Sequence, residues 1–241
     1  MQYIYLLLVL SFLPIFVIGY IIYKSDKIEK EPTKLLLLVF FGGVLSTLLA
    51  LLLSGLLGLI NPFFAVKDVD SLNAIKLIPY YFIGVALTEE FSKWILVYLF
   101  CFRSKEFNYL YDAIVYCVFA ALGFAALENM FYIFIGGIST GILRSLFATP
   151  GHAFFAVYMG YYLGLSKLTS LNGEKTVSRV YFIFSILIPT LLHGFYDYLL
   201  SLSSITIYSL PAFLTFIVLL YVFAVGMVKR ISNVKLPMKR N

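Results

Sequence analysis

Thr88-Glu89-Glu90-Phe91-Ser92-Lys93 lies inside an apolar run that extends from Leu77 to Cys101. Three ionisable side chains in the middle of such a run decide how the whole chain is read. One charge at the centre of a membrane helix costs roughly 2.5–3.5 kcal/mol, so three cost roughly 7–10 kcal/mol. The twelve Leu, Ile, Val and Phe residues of the run return only about 4–7 kcal/mol on the same scale. The segment is a marginal span by itself. It belongs against other helices or a water-filled cavity, not against lipid. Ionisable residues at such a depth mark function, and two adjacent carboxylates have no obvious packing use.

The rest of the chain can supply the surrounding bundle. Its 241 residues are 62% hydrophobic and only 12% charged, with mean hydropathy +0.97. Soluble domains are about 45–50% apolar and about 25% charged. The composition predicts an all-α fold, a polytopic transmembrane helix bundle forming one integral-membrane domain over residues 1–241. About seven spans are expected, near 2–23, 35–60, 77–101, 113–135, 145–165, 180–200 and 207–228. The first reads as a retained helix: no basic segment precedes it and it is too long for a signal-peptide core. Asn61-Pro62, the cluster Gly136-Gly137 with Gly141, Asn172-Gly173 and the polar stretch Ser201–Ser204 punctuate the spans. Helices over 77–200 are expected to form the catalytic core, and 229–241 a basic tail.

The net charge of +6 does not imply nucleic acid, because basic residues gather in the cytoplasmic loops of membrane proteins. The loops after spans one, three and five and the tail hold fourteen Lys and Arg; the loops on the other side hold three. This bias puts the N-terminus outside and the C-terminus in the cytoplasm. Cys101 and Cys117 read as reduced core residues, not a disulfide.

With that orientation, Glu128, His152 and His193 each lie about seven residues, or roughly 10 Å, below the outer boundary. Glu89 and Glu90 lie slightly deeper. Four helices thus bring polar groups to one level, including both histidines of the protein. Glu89 and Lys93, Glu128 and Tyr132, and His193 and Asp197 are each four residues apart and share a helix face. Asn129 read alone is an interhelical hydrogen-bonding residue.

Two carboxylates and two imidazoles around trapped water suit hydrolysis. Of two adjacent acids, one can serve as general base while its neighbour keeps a proton. Glu89, Glu90, His152 and His193 are the candidate catalytic residues, with Lys93, Glu128, Asn129, Tyr132 and Asp197 in support. The imidazoles have two roles open to them. His152, His193 and Glu90 can hold a divalent metal such as zinc. Alternatively His193 polarises the scissile carbonyl and His152 stabilises the oxyanion without metal. No His-Glu-x-x-His motif and no Gly-x-Ser-x-Gly elbow is present.

At these residues the chain resembles the PrsW family of bacterial intramembrane proteases, related to the type II CAAX prenyl endopeptidases. Four ordered blocks carry the resemblance: Glu89-Glu90-x-x-Lys93; Phe124-x-x-x-Glu128-Asn129-x-x-Tyr132; His152-Ala153-x-x-Ala156 with Gly160; and His193-Gly194-x-Tyr196-Asp197. Glu128-Asn129 stands where the prenyl endopeptidases place a histidine. The resemblance implies a multi-pass protease of a bacterial cell membrane. It implies site-1 cleavage of a single-span anti-sigma factor near the extracytoplasmic face, under envelope stress. It also implies catalysis by Glu89, Glu90 and His152 or His193. The competing reading is a cation or proton transporter built on the same Glu, His and Asp cluster, although no internal repeat relates the two halves. A retinal receptor is set aside because 207–228 holds no lysine.

Overall fold

The computed structural model describes residues 2–66, 68–202, 206–235, 237 and 238, without the side chain of residue 70. Ser203 and Ser204 of the expected polar connection, and Lys239 and Arg240 of the tail, lie outside them. The regular structure among the described residues is helical, apart from one isolated β-bridge between Tyr109 and Pro237. The helices are α1 (Gln2–Ser25), α2 (Thr33–Ile60), α3 (Ala74–Pro79), α4 (Thr88–Phe100), α5 (Leu110–Leu143), α6 (Thr149–Leu171), α7 (Lys175–Leu202) and α8 (Ser209–Ile231). π-helical turns at Tyr80–Leu87 and Arg144–Ala148 join α3 to α4 and α5 to α6.

Among the described residues, five helical runs are long and apolar enough to cross a bilayer: α1, α2, the continuous run Leu110–Leu171, α7 and α8. Their outward side chains are apolar, with Phe16 69%, Leu59 82% and Ile135 88% exposed, as lipid contact requires. The Glu-Glu segment is not among the five, because Glu89, Glu90 and Lys93 crowd its apolar stretch. The run Leu110–Leu171 has 62 residues, about 93 Å if straight, three times a bilayer core. It folds back at Gly137, whose φ of +73° and ψ of −159° break the helix at little cost for glycine. The expected turn is therefore there. The next helix starts well before residue 145, and Arg144 belongs to it instead of to a loop.

α5 is the axis of the bundle. From Leu110 to Ala126 nearly every residue is buried, with α1, α2 and α6 against it. Without a hydrophobic force between helices in lipid, close backbone contact must supply the packing. A Cβ on Gly43 would fall 2.0 Å from Ala120 O, and one on Gly123 would fall 1.9 Å from Phe40 O. α2 and α5 touch backbone to backbone at these two points. Cys101 and Cys117 are free and buried.

Candidate active site

Glu89, Glu90 and His152 enter the bundle just after a break in helical regularity. Pro79 has no N–H to give, and the π turn Tyr80–Leu87 follows it directly. Thr88 Oγ1 donates to the carbonyls of Gly84 (3.0 Å) or Val85 (2.8 Å), and Ser54 Oγ of α2 reaches Gly84 O at 3.2 Å. Glu89 and Glu90 come next. The second π turn ends at Ala148, with Pro150 and His152 just beyond. Its carbonyls at Leu146 and Phe147 accept from the Tyr221 hydroxyl of α8, at 3.1 and 3.2 Å.

Lys93 sits at the centre, 1% exposed. Its Nζ lies 2.7 Å from Glu90 Oε1, 3.1 Å from His152 Nδ1 and 3.6 Å from Glu89 Oε2, over the face of Phe124 at 4.1 Å. The expected Glu89–Lys93 pair is present, but Glu90 is the tighter partner. An ammonium only donates, so His152 Nδ1 accepts, and the imidazole proton on Nε2 goes to Glu128 Oε2 at 2.8 Å. Arg144 Nη2 donates to the same oxygen at 2.7 Å, and Arg144 Nε donates to Asn129 Oδ1 at 2.8 Å. Asn129 Nδ2 then binds Ser11 O and Thr149 Oγ1, which ties α1 and α6 to the site. His193 stacks on Phe155 at 5.0 Å, with Nδ1 2.8 Å from Glu90 Oε1 and Nε2 3.3 Å from Asp197 Oδ2.

The neighbours Glu89 and Glu90 differ in what they face. Glu90 is sealed, its Oε1 held by Lys93 and His193. Glu89 is 16% exposed on a cavity of about 660 Å³ that reaches His152, His193, Arg144 and Asp197. A second cavity of about 470 Å³, toward Thr47 and Ser54 of α2, shares the wall made by Val85, Glu89, Glu128 and Tyr132. Tyr132 is half-exposed, and Arg144 lies over its ring at 4.5 Å. The structure thus brings all nine residues singled out in the sequence to one place, and adds Arg144, Thr88, Ser54 and Phe124.

A family model described as PrsW family intramembrane metalloprotease matches residues 31–227. The chain belongs to the PrsW family. In Geobacillus kaustophilus a Protease PrsW is 37% identical over 180 residues, 74% of this chain and 72% of the relative. One in Oceanobacillus iheyensis is 33% identical over 213 residues, 88% and 89% of the two chains. Another, in Clostridioides difficile, is 33% identical over 198 residues, 80% and 79%. No solved structure matches the chain. As a PrsW protein, the chain is an intramembrane peptidase of a bacterial membrane. Its substrate is protein, and a transporter is not the favoured reading.

The PrsW family is described as metalloproteases, so the donor set has to be tested against a metal. Ligand atoms from Glu89, His152 and His193 lie within 4.8 Å of one another. Glu89 Oε2 and Glu90 Oε2 are buried oxygens without a hydrogen-bond partner. His193 backs onto Glu90 through Nδ1 while Nε2 lies 3.9 Å from Glu89 Oε2. A carboxylate behind the histidine is the arrangement that fixes a metal-binding imidazole. These donor types fit a metal ion, which would have to displace Lys93 or Glu128 from His152 and Asp197 from His193. The carboxylate that converges with the imidazoles is Glu89, where the sequence pointed to Glu90, because Glu90 is turned inward onto Lys93 and His193.

Proposed function

We propose that this chain hydrolyses a peptide bond in a single-span membrane protein of the anti-sigma type, near the extracytoplasmic face, by water activated at Glu89. The observation that carries the reading is Glu89, whose side chain lines both cavities while its buried Oε2 has no hydrogen-bond partner. Water oxygen attacks the scissile carbonyl carbon, and Glu89 takes the water proton. The C–N bond breaks, and the leaving amine receives that proton. Glu90 positions His193 and neutralises Lys93. Glu128, anchored by Arg144, holds His152. In the metal-dependent form of this reading, Glu89, His152 and His193 would hold zinc, which when bound acidifies the water at this place, and Glu89 is then a ligand instead of the base.

The seven-span arrangement with the N-terminus outside supports this placement. Splitting Leu110–Leu171 at Gly137 and adding 74–100 to the other four runs gives seven crossings. With Arg144 inside the site, the basic-residue bias becomes fourteen to two. The site then lies in the outer half of the bilayer, within the core helices 77–200, while 229–241 faces the cytoplasm.

The test is cleavage of a single-span anti-sigma-type substrate in proteoliposomes, by wild type and Glu89→Gln, with and without a strong chelator. Cleavage lost in Glu89→Gln and lost with chelator supports the metal-holding role. Loss in the variant with indifference to chelator supports Glu89 acting alone. Cleavage by Glu89→Gln at the wild-type rate overturns the proposal.

A further inference from the structure

A second group of acids lies at the opposite end of α5, and the proposed reaction does not use it. Asp26 follows the last turn of α1, Glu31 precedes α2, and Asp112 lies in the first turn of α5. All three are buried: Asp26 and Glu31 are 4% exposed and Asp112 is 1%. One oxygen from each lies within 4.8 Å of the others. Asp112 and Glu128 are sixteen residues apart on one helix, about 24 Å, so this group is separate from the one around Glu89.

The protein's own donors do not satisfy these acids. Asp112 Oδ2 accepts the backbone N–H groups of Asn108 (2.8 Å) and Tyr109 (2.6 Å), which caps α5. Glu31 Oε2 accepts from the Tyr116 hydroxyl. Asp26 Oδ1 accepts from Ile28 N at 3.3 Å, but Asp26 Oδ2 is buried and has no hydrogen-bond partner. The charges are also unbalanced. Lys30 is the cation beside Asp26, and its Nζ is spent on the carbonyls that end α1, including Tyr23 O at 2.6 Å. Glu31 and Asp112 face each other and Asp26. Glu31 and Asp112 are hydrogen-bonded to each other, which takes one proton between them; with that proton gone, three carboxylates would stand against one ammonium, and an unpaired buried charge is costly.

We propose that Asp26, Glu31 and Asp112 bind one hard divalent cation of the magnesium or calcium class. Carboxylate oxygens, with the carbonyls of the α1 end nearby, are the donors such ions take. A divalent ion would take the place of the proton between Glu31 and Asp112 and give Asp26 Oδ2 a partner. Bound there, it clamps the end of α1, the α1–α2 connection and the start of α5 together.

The experiment uses the full chain in lipid nanodiscs, stripped with chelator, with Mn²⁺ as the probe followed by electron paramagnetic resonance. Wild type and Glu89→Gln are both expected to hold an Mn²⁺ ion that Mg²⁺ or Ca²⁺ displaces. Asp26→Asn keeps the acceptor for Ile28 N and is expected to bind that ion at least tenfold more weakly. Mg²⁺ or Ca²⁺ should raise the unfolding temperature of wild type and Glu89→Gln, and leave Asp26→Asn where it was. Equal Mn²⁺ affinity in wild type and Asp26→Asn overturns the proposal. So does the absence of displaceable Mn²⁺ in wild type, which means that the three acids hold protons instead.

Discussion

The two ends of α5 each gather buried acids, and they treat them in opposite ways. At the Glu128 end every carboxylate has a cation or an imidazole against it: Lys93 for Glu90, Arg144 and His152 for Glu128, His193 for Asp197. At the Asp112 end, acid faces acid. The difference shows what a compensated network makes possible. With its neighbours neutralised, Glu89 can line a cavity while one of its oxygens stays buried without a hydrogen bond. At the Asp112 end the shortage is a partner for the buried Asp26 Oδ2.

The comparison breaks most sharply at Glu89. Glu89→Gln keeps the shape and removes the base, so the cleavage rate should fall by about 10²–10⁴-fold, measured as product per time in proteoliposomes. The unfolding temperature should barely move, since that carboxylate is the least bonded of the network. Lys93→Met is the next largest change. It leaves Glu90 buried without its counter-charge, and loss of one partner from a buried pair costs about 3–5 kcal/mol. Thermal unfolding in detergent should show this as a large drop, and cleavage should disappear with it. An unfolding temperature at the wild-type value would mean that Glu90 does not need the ammonium.

The all-helical, membrane-crossing character was legible in the sequence because hydropathy reports lipid exposure directly, and five runs are long and apolar enough to cross among the described residues. The site was legible because charges in an apolar run stand out and because helical spacing puts residues four apart on one face. Three features were not. Gly136-Gly137 announced a turn, but spacing does not say that helix resumes at once and carries Arg144 back beside Glu128. The π turns just before Glu89 and His152 follow no periodicity that the sequence displays. The opposite settings of Glu89 and Glu90 depend on which helix each faces, and adjacent identical residues carry no signal of that.

Arg144 sharpens the contrast at smaller scale. Arg144→Gln removes a charged hydrogen-bond partner from Glu128, worth about 1.5–3 kcal/mol. It should lower the unfolding temperature less than Lys93→Met does, and slow cleavage by loosening His152. Arg144→Lys keeps the charge but loses the fork that also reaches Asn129, and should fall between wild type and Gln. The smallest effect is expected at Cys101 and Cys117, both 0% exposed. Neither should react with maleimide in the folded protein, and both should react after denaturation, as mass spectrometry will read.

The paired cavities around Glu89 bear on how the cut position is chosen. A blind pocket measures from a chain end, because a terminus must abut its floor. Here there is open volume on both flanks of the carboxylate, and nothing for a terminus to rest against. Such a site is indifferent to how much polypeptide lies before or after the bond. Trimming a substrate from either terminus should therefore leave the scissile bond unchanged, so long as the membrane-embedded stretch remains.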